Sequence, residues 1–193
     1  MAAKKNKKIN PFLRILLMTN ALIVFAGATL GPILALYIED LGGDLLAASG
    51  AASLYAIVAG MTVFFISKWE DRIKHQERLV VVGYIIIALS FFSYLLIKTP
   101  VHLFIVQIFI GLGEAIYIPA YDALYSRNLD DHKEASEWGA WEAMAYIVSA
   151  AGALIGGVIV TVYGFDPLFV IMGLLTLVSA FGMQYMYKKN SAS

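Results

Sequence analysis

The chain has 193 residues, 60% hydrophobic and 15% charged, with a formal net charge of zero and no cysteine. A soluble domain carries about 45–50% apolar and about 25% charged residues, so this balance, with a mean hydropathy of +0.75, marks a membrane protein. The missing cysteines exclude disulfides and thiolate metal sites, and His75, His102 and His132 share no ligand spacing, so no metal and no cofactor is expected.

In chain order, residues 1–10 form a basic N-terminus with Lys4, Lys5, Lys7 and Lys8. The apolar run behind it is far longer than the 7–15-residue core of a signal peptide and shows no clear cleavage site, so it reads as a retained first span. Six segments are long enough to cross a bilayer, which takes roughly 20 residues: 11–38, 45–68, 78–97, 100–126, 135–163 and 167–187. Asn10-Pro11, Thr99-Pro100 and Asp166-Pro167 each pair a capping side chain with a proline suited to the first helical position. Gly42, Gly43 and Asp44 separate the first two spans, and Gly164 ends the fifth. The expected fold is an all-α integral membrane bundle over 11–188, followed by a short tail over 189–193.

Charge placement orients the bundle. Of fourteen Lys and Arg residues, thirteen fall in the N-terminus, the second and fourth loops and the C-terminus, leaving Lys98 alone on the other side. The positive side is cytoplasmic, so both termini are expected on the cytoplasmic side of the cell (inner) membrane, which suits an even number of spans. The same bias opposes dual insertion, so copies that pair are expected to lie parallel.

Small residues mark close helix approach. Gly27 and Gly31 on span 1, and Gly152 and Gly156 on span 5, are spaced as GxxxG, which serves packing within one bundle or contact between subunits. Gly27, Pro32 and Ala35-Leu36-Tyr37 are echoed by Gly113, Pro119 and Ala123-Leu124-Tyr125, displaced by 86–88 residues. That shift equals three spans, and three spans reverse direction across the membrane. An inverted 3+3 repeat is expected.

The functional residues concentrate in span 4 and the start of span 5. At 100° per residue, Gln107, Glu114, Tyr121 and Tyr125 fall within about 40° of one another. An ionisable group at the bilayer centre costs roughly 2.5–3.5 kcal/mol on insertion scales, so this stripe is expected to line a cavity. Glu114 is the candidate for holding a cation or a coupling proton, with Gln107, Tyr121, Tyr117 and Asn20 beside it. Asn20 reads either as cavity lining or as a bridge between helices. Glu142, beside Trp138 and Trp141, is a structural partner of Arg127 or a gate residue, and Asp122 is expected to pair with a loop cation. No Lys or Arg occurs in 15–67, 79–97, 99–126 or 134–187. A cationic or neutral solute therefore suits the interior better than an anion.

With order, spacing and topology in place, the chain resembles the Major Facilitator Superfamily, specifically the six-helix N-terminal half of its twelve-helix fold. Ser67-Lys68-Trp69-Glu70-Asp71-Arg72-Ile73-Lys74 resembles the GxxxDRxG gating loop, matching it at Asp71 and Arg72 while Ser67 and Lys74 replace the glycines. Span 4, from Leu103 through Gln107 to Gly111-Leu112-Gly113-Glu114-Ala115, is similar to the motif that carries an arginine in proton-driven exporters, with Gln107 in the arginine's place. Gly152-Ala153 followed by Gly156-Gly157 resembles the exporter pattern GPxxGG, with Ala153 replacing proline.

The resemblance implies a substrate cavity between two six-helix halves, of which this chain supplies one. A second copy, related by an axis along the membrane normal, would close the Gln107–Glu114–Tyr121 stripe. It also implies that Asp71 meets the start of the partner's span 5 near Ser136-Glu137-Trp138, where a helix N-terminus attracts a carboxylate. The plain alternative pairs Asp71 with Arg72 or Arg78 in its own loop. The expected function is one half of a secondary transporter, carrying a small solute as a parallel homodimer by alternating access. A non-transporting scaffold and half of a heterodimer are the alternatives. An enzyme is not expected, since no nucleophile–base pair is present, and neither is a nucleic-acid partner.

Overall fold

The computed structural model describes residues 11–191, with side chains described through Lys188. Lys4, Lys5, Lys7 and Lys8, the Asn10 cap and the side chain of Lys189 lie outside what is described. The described residues form helices α1 (Pro11–Leu30), α2 (Leu34–Asp40), α3 (Leu45–Glu70), α4 (Gln76–Ser93), α5 (Pro100–Arg127), α6 (Glu134–Tyr163) and α7 (Phe165–Ser191). Six stretches are long and apolar enough to cross a membrane, α1 and α2 together making the first.

The boundaries follow local chemistry. The first span is not one helix, as its apolar run suggests, because a single 3-10 turn over Gly31–Ile33 separates α1 from α2. Pro32 lacks an N–H and its ring crowds the carbonyl four residues back, so the α-helical ladder gives way there. Asp44 caps α3 by accepting from the Ala47 N–H at 2.8 Å. Thr99 precedes α5 in an extended conformation with Pro100 at the first position, but its side chain caps nothing. Its carbonyl instead accepts from the His102 N–H at 3.1 Å. Gly164, at φ 82°, turns α6 directly into α7, which starts at Phe165 rather than at the expected Asp166-Pro167. Only glycine adopts that φ freely.

Several Ser and Thr hydroxyls inside the spans are satisfied by their own helices. Thr19 donates to the Ile15 carbonyl at 3.0 Å, Thr176 to Met172 at 2.9 Å and Ser179 to Leu175 at 3.1 Å. Such back-bonding removes the penalty of a free polar group in hydrocarbon.

Packing divides the helices into inner and outer sets. α4 lies against α5 and α7, α1 against α6 and α7, and α3 against α5. These pairings map onto one another when span 1 is exchanged with span 4, span 2 with span 5 and span 3 with span 6. In their most apolar stretches α3 and α6 bury only 6% and 11% of their residues, against 33–56% for the other four spans. They are the outer helices, one on each flank.

The two GxxxG pairs part company. A Cβ on Gly152 would sit 2.8 Å from the Phe25 carbonyl oxygen, and one on Gly156 would collide with the Thr29 carbonyl. Both therefore serve the contact between α6 and α1, within one chain. Gly27 and Gly31 touch nothing: a Cβ on either would meet no atom within 4 Å. Their side of α1 is open.

Candidate functional site

The open side of α1 faces a groove of about 320 Å³ whose wall includes Gly27, Gly31, Tyr55, Tyr94, Gln107 and Glu114. Its polar part is built on the contact between α3 and α5. A Cβ on Gly111 would lie 2.9 Å from the Tyr55 carbonyl, so the missing side chain lets α3 approach closely at that level. One turn further along α5, the Tyr55 hydroxyl donates to Glu114 Oε2. Two turns back from Glu114, Gln107, 5% exposed, reaches the Tyr94 hydroxyl with its Nε2 at 3.4 Å. Tyr94 is held by aromatic packing, its ring stacked on Phe169 at 4.8 Å. Its carbonyl accepts from the Tyr37 hydroxyl at 3.1 Å.

The expected stripe is thus split. Gln107 and Glu114 share the groove, but Tyr121 does not belong to its wall. Tyr121 is 1% exposed and stacks on Tyr125 at 6.0 Å, below the groove. Tyr117 is buried edge-on against Tyr84 at 4.9 Å. The reason is packing partners: the upper half of that helical face looks out between α1 and α3, whereas its lower half is roofed by α4 and α6. Tyr125 ends the column, donating to the Glu137 carbonyl at 2.6 Å and packing on Trp138 at 4.8 Å. Asn20 takes the bridging role, accepting from Trp141 Nε1 at 3.1 Å between α1 and α6.

At the loop end, Asp71 and Arg72 are exposed, and Asp71 closes α3 with its N–H on the Ser67 carbonyl at 3.1 Å. Arg78 is committed elsewhere: it donates to the Tyr187 hydroxyl and its guanidinium lies 4.9 Å from the centre of that ring. This ties the α3–α4 loop to the far end of α7. Glu142 and Arg127 are both exposed, and no ion pair joins them. Asp122 is half-buried and forms no salt bridge among the described residues, so the expected pairing with a loop cation is not formed there. The ion pair that does form, among the described residues, is Lys133 to Asp130 at 2.7 Å.

Sequence reasoning missed Tyr55 and Tyr94, the two hydroxyl partners of the polar groove residues. Tyr55 was findable as the lone polar side chain with a ring amid Ala51–Ala59. Tyr94 sits too near the end of its span to stand out. Together the four side chains offer a carboxyl, an amide and two aromatic hydroxyls beside apolar wall, with no Lys or Arg in the surrounding spans. Such a surface accepts a cation or a proton and can hydrogen-bond a neutral solute.

The described residues thus form a bundle of six membrane-length helices with a carboxyl-bearing groove on one open face. The profile of the Major Facilitator Superfamily matches residues 16–192, and the chain belongs to that family. Among curated relatives, it is 27% identical to the multidrug resistance protein MdtG of Serratia proteamaculans, the alignment covering 86% of this chain and 41% of the relative. It is 27% identical to the MdtG of Rahnella sp., over 93% of this chain and 43% of the relative, and 26% identical to that of Klebsiella pneumoniae, over 86% and 41%. The chain spans less than half the length of these relatives. No solved structure matches it.

Proposed function

We propose that this chain is one half of a secondary active transporter and that two copies, lying parallel, enclose a solute site between them. The observation that carries the reading is the groove itself: half-buried Glu114, held by Tyr55, lines it beside the buried Gln107, on an open face where a lone bundle would leave a carboxyl towards lipid. Burial against a second copy removes that cost. The outer helices supply the contact. A two-fold axis along the membrane normal sets α3 of one copy against α6 of the other, and these are the two spans least buried in one chain. The outer side of α6 suits close approach, since a groove runs along Ala153, Gly157 and Thr161, and a Cβ on Gly157 would meet nothing within 4 Å.

The packing exchange between spans 1–3 and 4–6 supports an inverted 3+3 repeat, and the charge bias supports cytoplasmic termini in the inner membrane. Alternating access then rocks the two halves about the groove, and the cargo is a small neutral or cationic solute, with Glu114 carrying a coupling proton. The relatives' designation as multidrug resistance proteins supports lipophilic cations as the first compounds to try. Pairing with a different half, in a heterodimer, leaves the groove chemistry unchanged.

The decisive experiment uses the absence of cysteine. Asp71→Cys and Ser136→Cys are introduced together and oxidised in membranes, and a crosslinked dimer that needs both sites supports the pairing. Without a crosslink, while both thiols react with a small reagent, the homodimer reading fails. In liposomes, uptake of tetraphenylphosphonium driven by a proton gradient is expected from the unmodified protein and not from Glu114→Gln. A crosslinking dimer that moves none of a broad cation panel is a scaffold instead.

A further inference from the structure

Three side chains of α5 line the groove, and they are Gln107, Ile110 and Glu114. Gln107 and Glu114 stand seven residues apart on one helix, about 10 Å along its axis, with Ile110 between them on the same face. The wall is therefore polar at two points and apolar in the middle, where Phe91 also lies.

What each polar point offers is set by its tyrosine. The Tyr55 hydroxyl donates to Glu114 Oε2, which leaves Oε1 open. Gln107 turns its Nε2 to the Tyr94 hydroxyl at 3.4 Å, which leaves its Oε1 open. Neither Oε1 has a hydrogen-bond partner among the described residues, and neither is among the enclosed unmatched atoms, so both remain accessible. A carboxylate oxygen and an amide oxygen only accept. Tyr94 is well placed to hold the amide this way round. It is 2% exposed, its ring stacks on Phe169 at 4.8 Å and tilts against Tyr37 at 5.8 Å, and its carbonyl accepts from the Tyr37 hydroxyl at 3.1 Å.

We propose that the groove selects elongated protonated amines that carry a neutral O–H or N–H donor about 10 Å from the ammonium. The selection rests on the cation-binding reading above and names the solute class. The ammonium donates to Glu114 Oε1, so charge and hydrogen bond act together, whereas a quaternary ammonium brings the charge alone. The far donor meets Gln107 Oε1. That oxygen is neutral, so it suits a hydroxyl or an amide better than a second cation, whose charge would stand uncompensated. The apolar middle of the solute covers Ile110 and Phe91. A solute without the far donor leaves the amide oxygen desolvated and unmatched, and this loss is the source of discrimination.

The test is isothermal titration calorimetry on the full chain in nanodiscs, with protein-free nanodiscs giving the partition of each probe into lipid. The probe is 8-amino-1-octanol, whose extended length is comparable to the rise between the two oxygens. It is compared with octylamine, with its methyl ether and with its N-trimethylated counterpart. The amino alcohol is expected to bind about 10-fold tighter than each of the other three, the scale of one hydrogen bond to a buried group. Gln107→Leu is expected to bring it down to octylamine, and Glu114→Gln to remove binding of all four. Tyr94→Phe frees the amide to turn its nitrogen outward, so the ether, which can only accept, gains on the alcohol. A purely structural role for Tyr94 would weaken both alike. The comparison of probes needs no variant and stands if one fails to fold. Equal affinities for the four, or an alcohol no better than its ether, overturn the selection and leave the cation site standing. Binding of none of the four, nor of tetraphenylphosphonium, overturns the cation reading and the selection with it.

Discussion

Tyr55 on α3 donates a hydrogen bond from its hydroxyl to the Glu114 carboxyl on α5 at the level where Gly111 lets the two helices close up. The groove's charged residue is therefore held by the outermost helix on that flank, the same helix assigned to the contact with a second copy. A movement of α3 relative to α5 changes the hydrogen bonding of Glu114 directly. In the proposed dimer, site chemistry and the movement of α3 thus share one bond.

That bond predicts a coupling. Tyr55→Phe strips a half-buried carboxyl of its donor, which costs about 1–3 kcal/mol where the acceptor stays buried. In the Glu114→Gln background, the same Tyr55→Phe change is expected to cost less, because the group left behind carries no charge. Thermal unfolding of the two single variants and the double variant in detergent gives the cycle, with a coupling of about 1 kcal/mol expected. Strict additivity would show that the bond does not contribute.

What the sequence disclosed follows from what membranes force on it. The six spans, the break at Gly42–Asp44 and the stop at Gly164 were legible because a span must be long, apolar and capped by turn residues. Glu114 and Gln107 stood out because polar groups at that depth are expensive. Side-chain partners were not legible. The angular stripe from Gln107 to Tyr125 is real on the helix, yet two neighbours cover its lower half, and periodicity on one helix says nothing of its neighbours. The same blindness applies to the glycines, where one spacing marks a close contact at Gly152 and Gly156 and an open wall at Gly27 and Gly31.

The Arg78–Tyr187 contact predicts an anchored loop. A cation over an exposed ring contributes about 0.5–1 kcal/mol, and here a hydrogen bond is added. Tyr187→Leu is expected to leave the bundle folded while amide hydrogens of Asp71–Arg78 exchange several-fold faster, read by hydrogen-exchange mass spectrometry. Arg78→Lys retains the charge but not the planar contact, so an intermediate rise is expected. Unaltered exchange in both would mean that the loop is held by its own turns.

Trp141 and Asn20 predict a cost paid by α6. Trp141→Phe removes the donor that Asn20, 2% exposed, relies on between α1 and α6. A loss of about 1–3 kcal/mol of stability is expected in detergent melting. Replacing both with apolar residues, as in Asn20→Leu/Trp141→Phe, is expected to recover part of it, since no buried acceptor remains. A double variant as unstable as the sum would place the loss in packing volume and not in the bond.

Gly156 and Gly157 are adjacent on α6 and face different surfaces, which separates folding from assembly. A side chain at Gly156 meets the Thr29 carbonyl of α1, so Gly156→Val is expected to destabilise the single chain by about 1–3 kcal/mol through overpacking. At Gly157 the space is open, so Gly157→Val leaves the melting of a detergent-solubilised monomer unchanged. If the outer groove of α6 seats a second copy, the same Gly157→Val lowers the yield of the Asp71→Cys/Ser136→Cys crosslink several-fold in membranes. Gly157→Ala adds less volume and is expected to fall between, which ties the effect to steric approach. A Gly157→Val protein that crosslinks as well as its parent would remove this face of α6 from the interface.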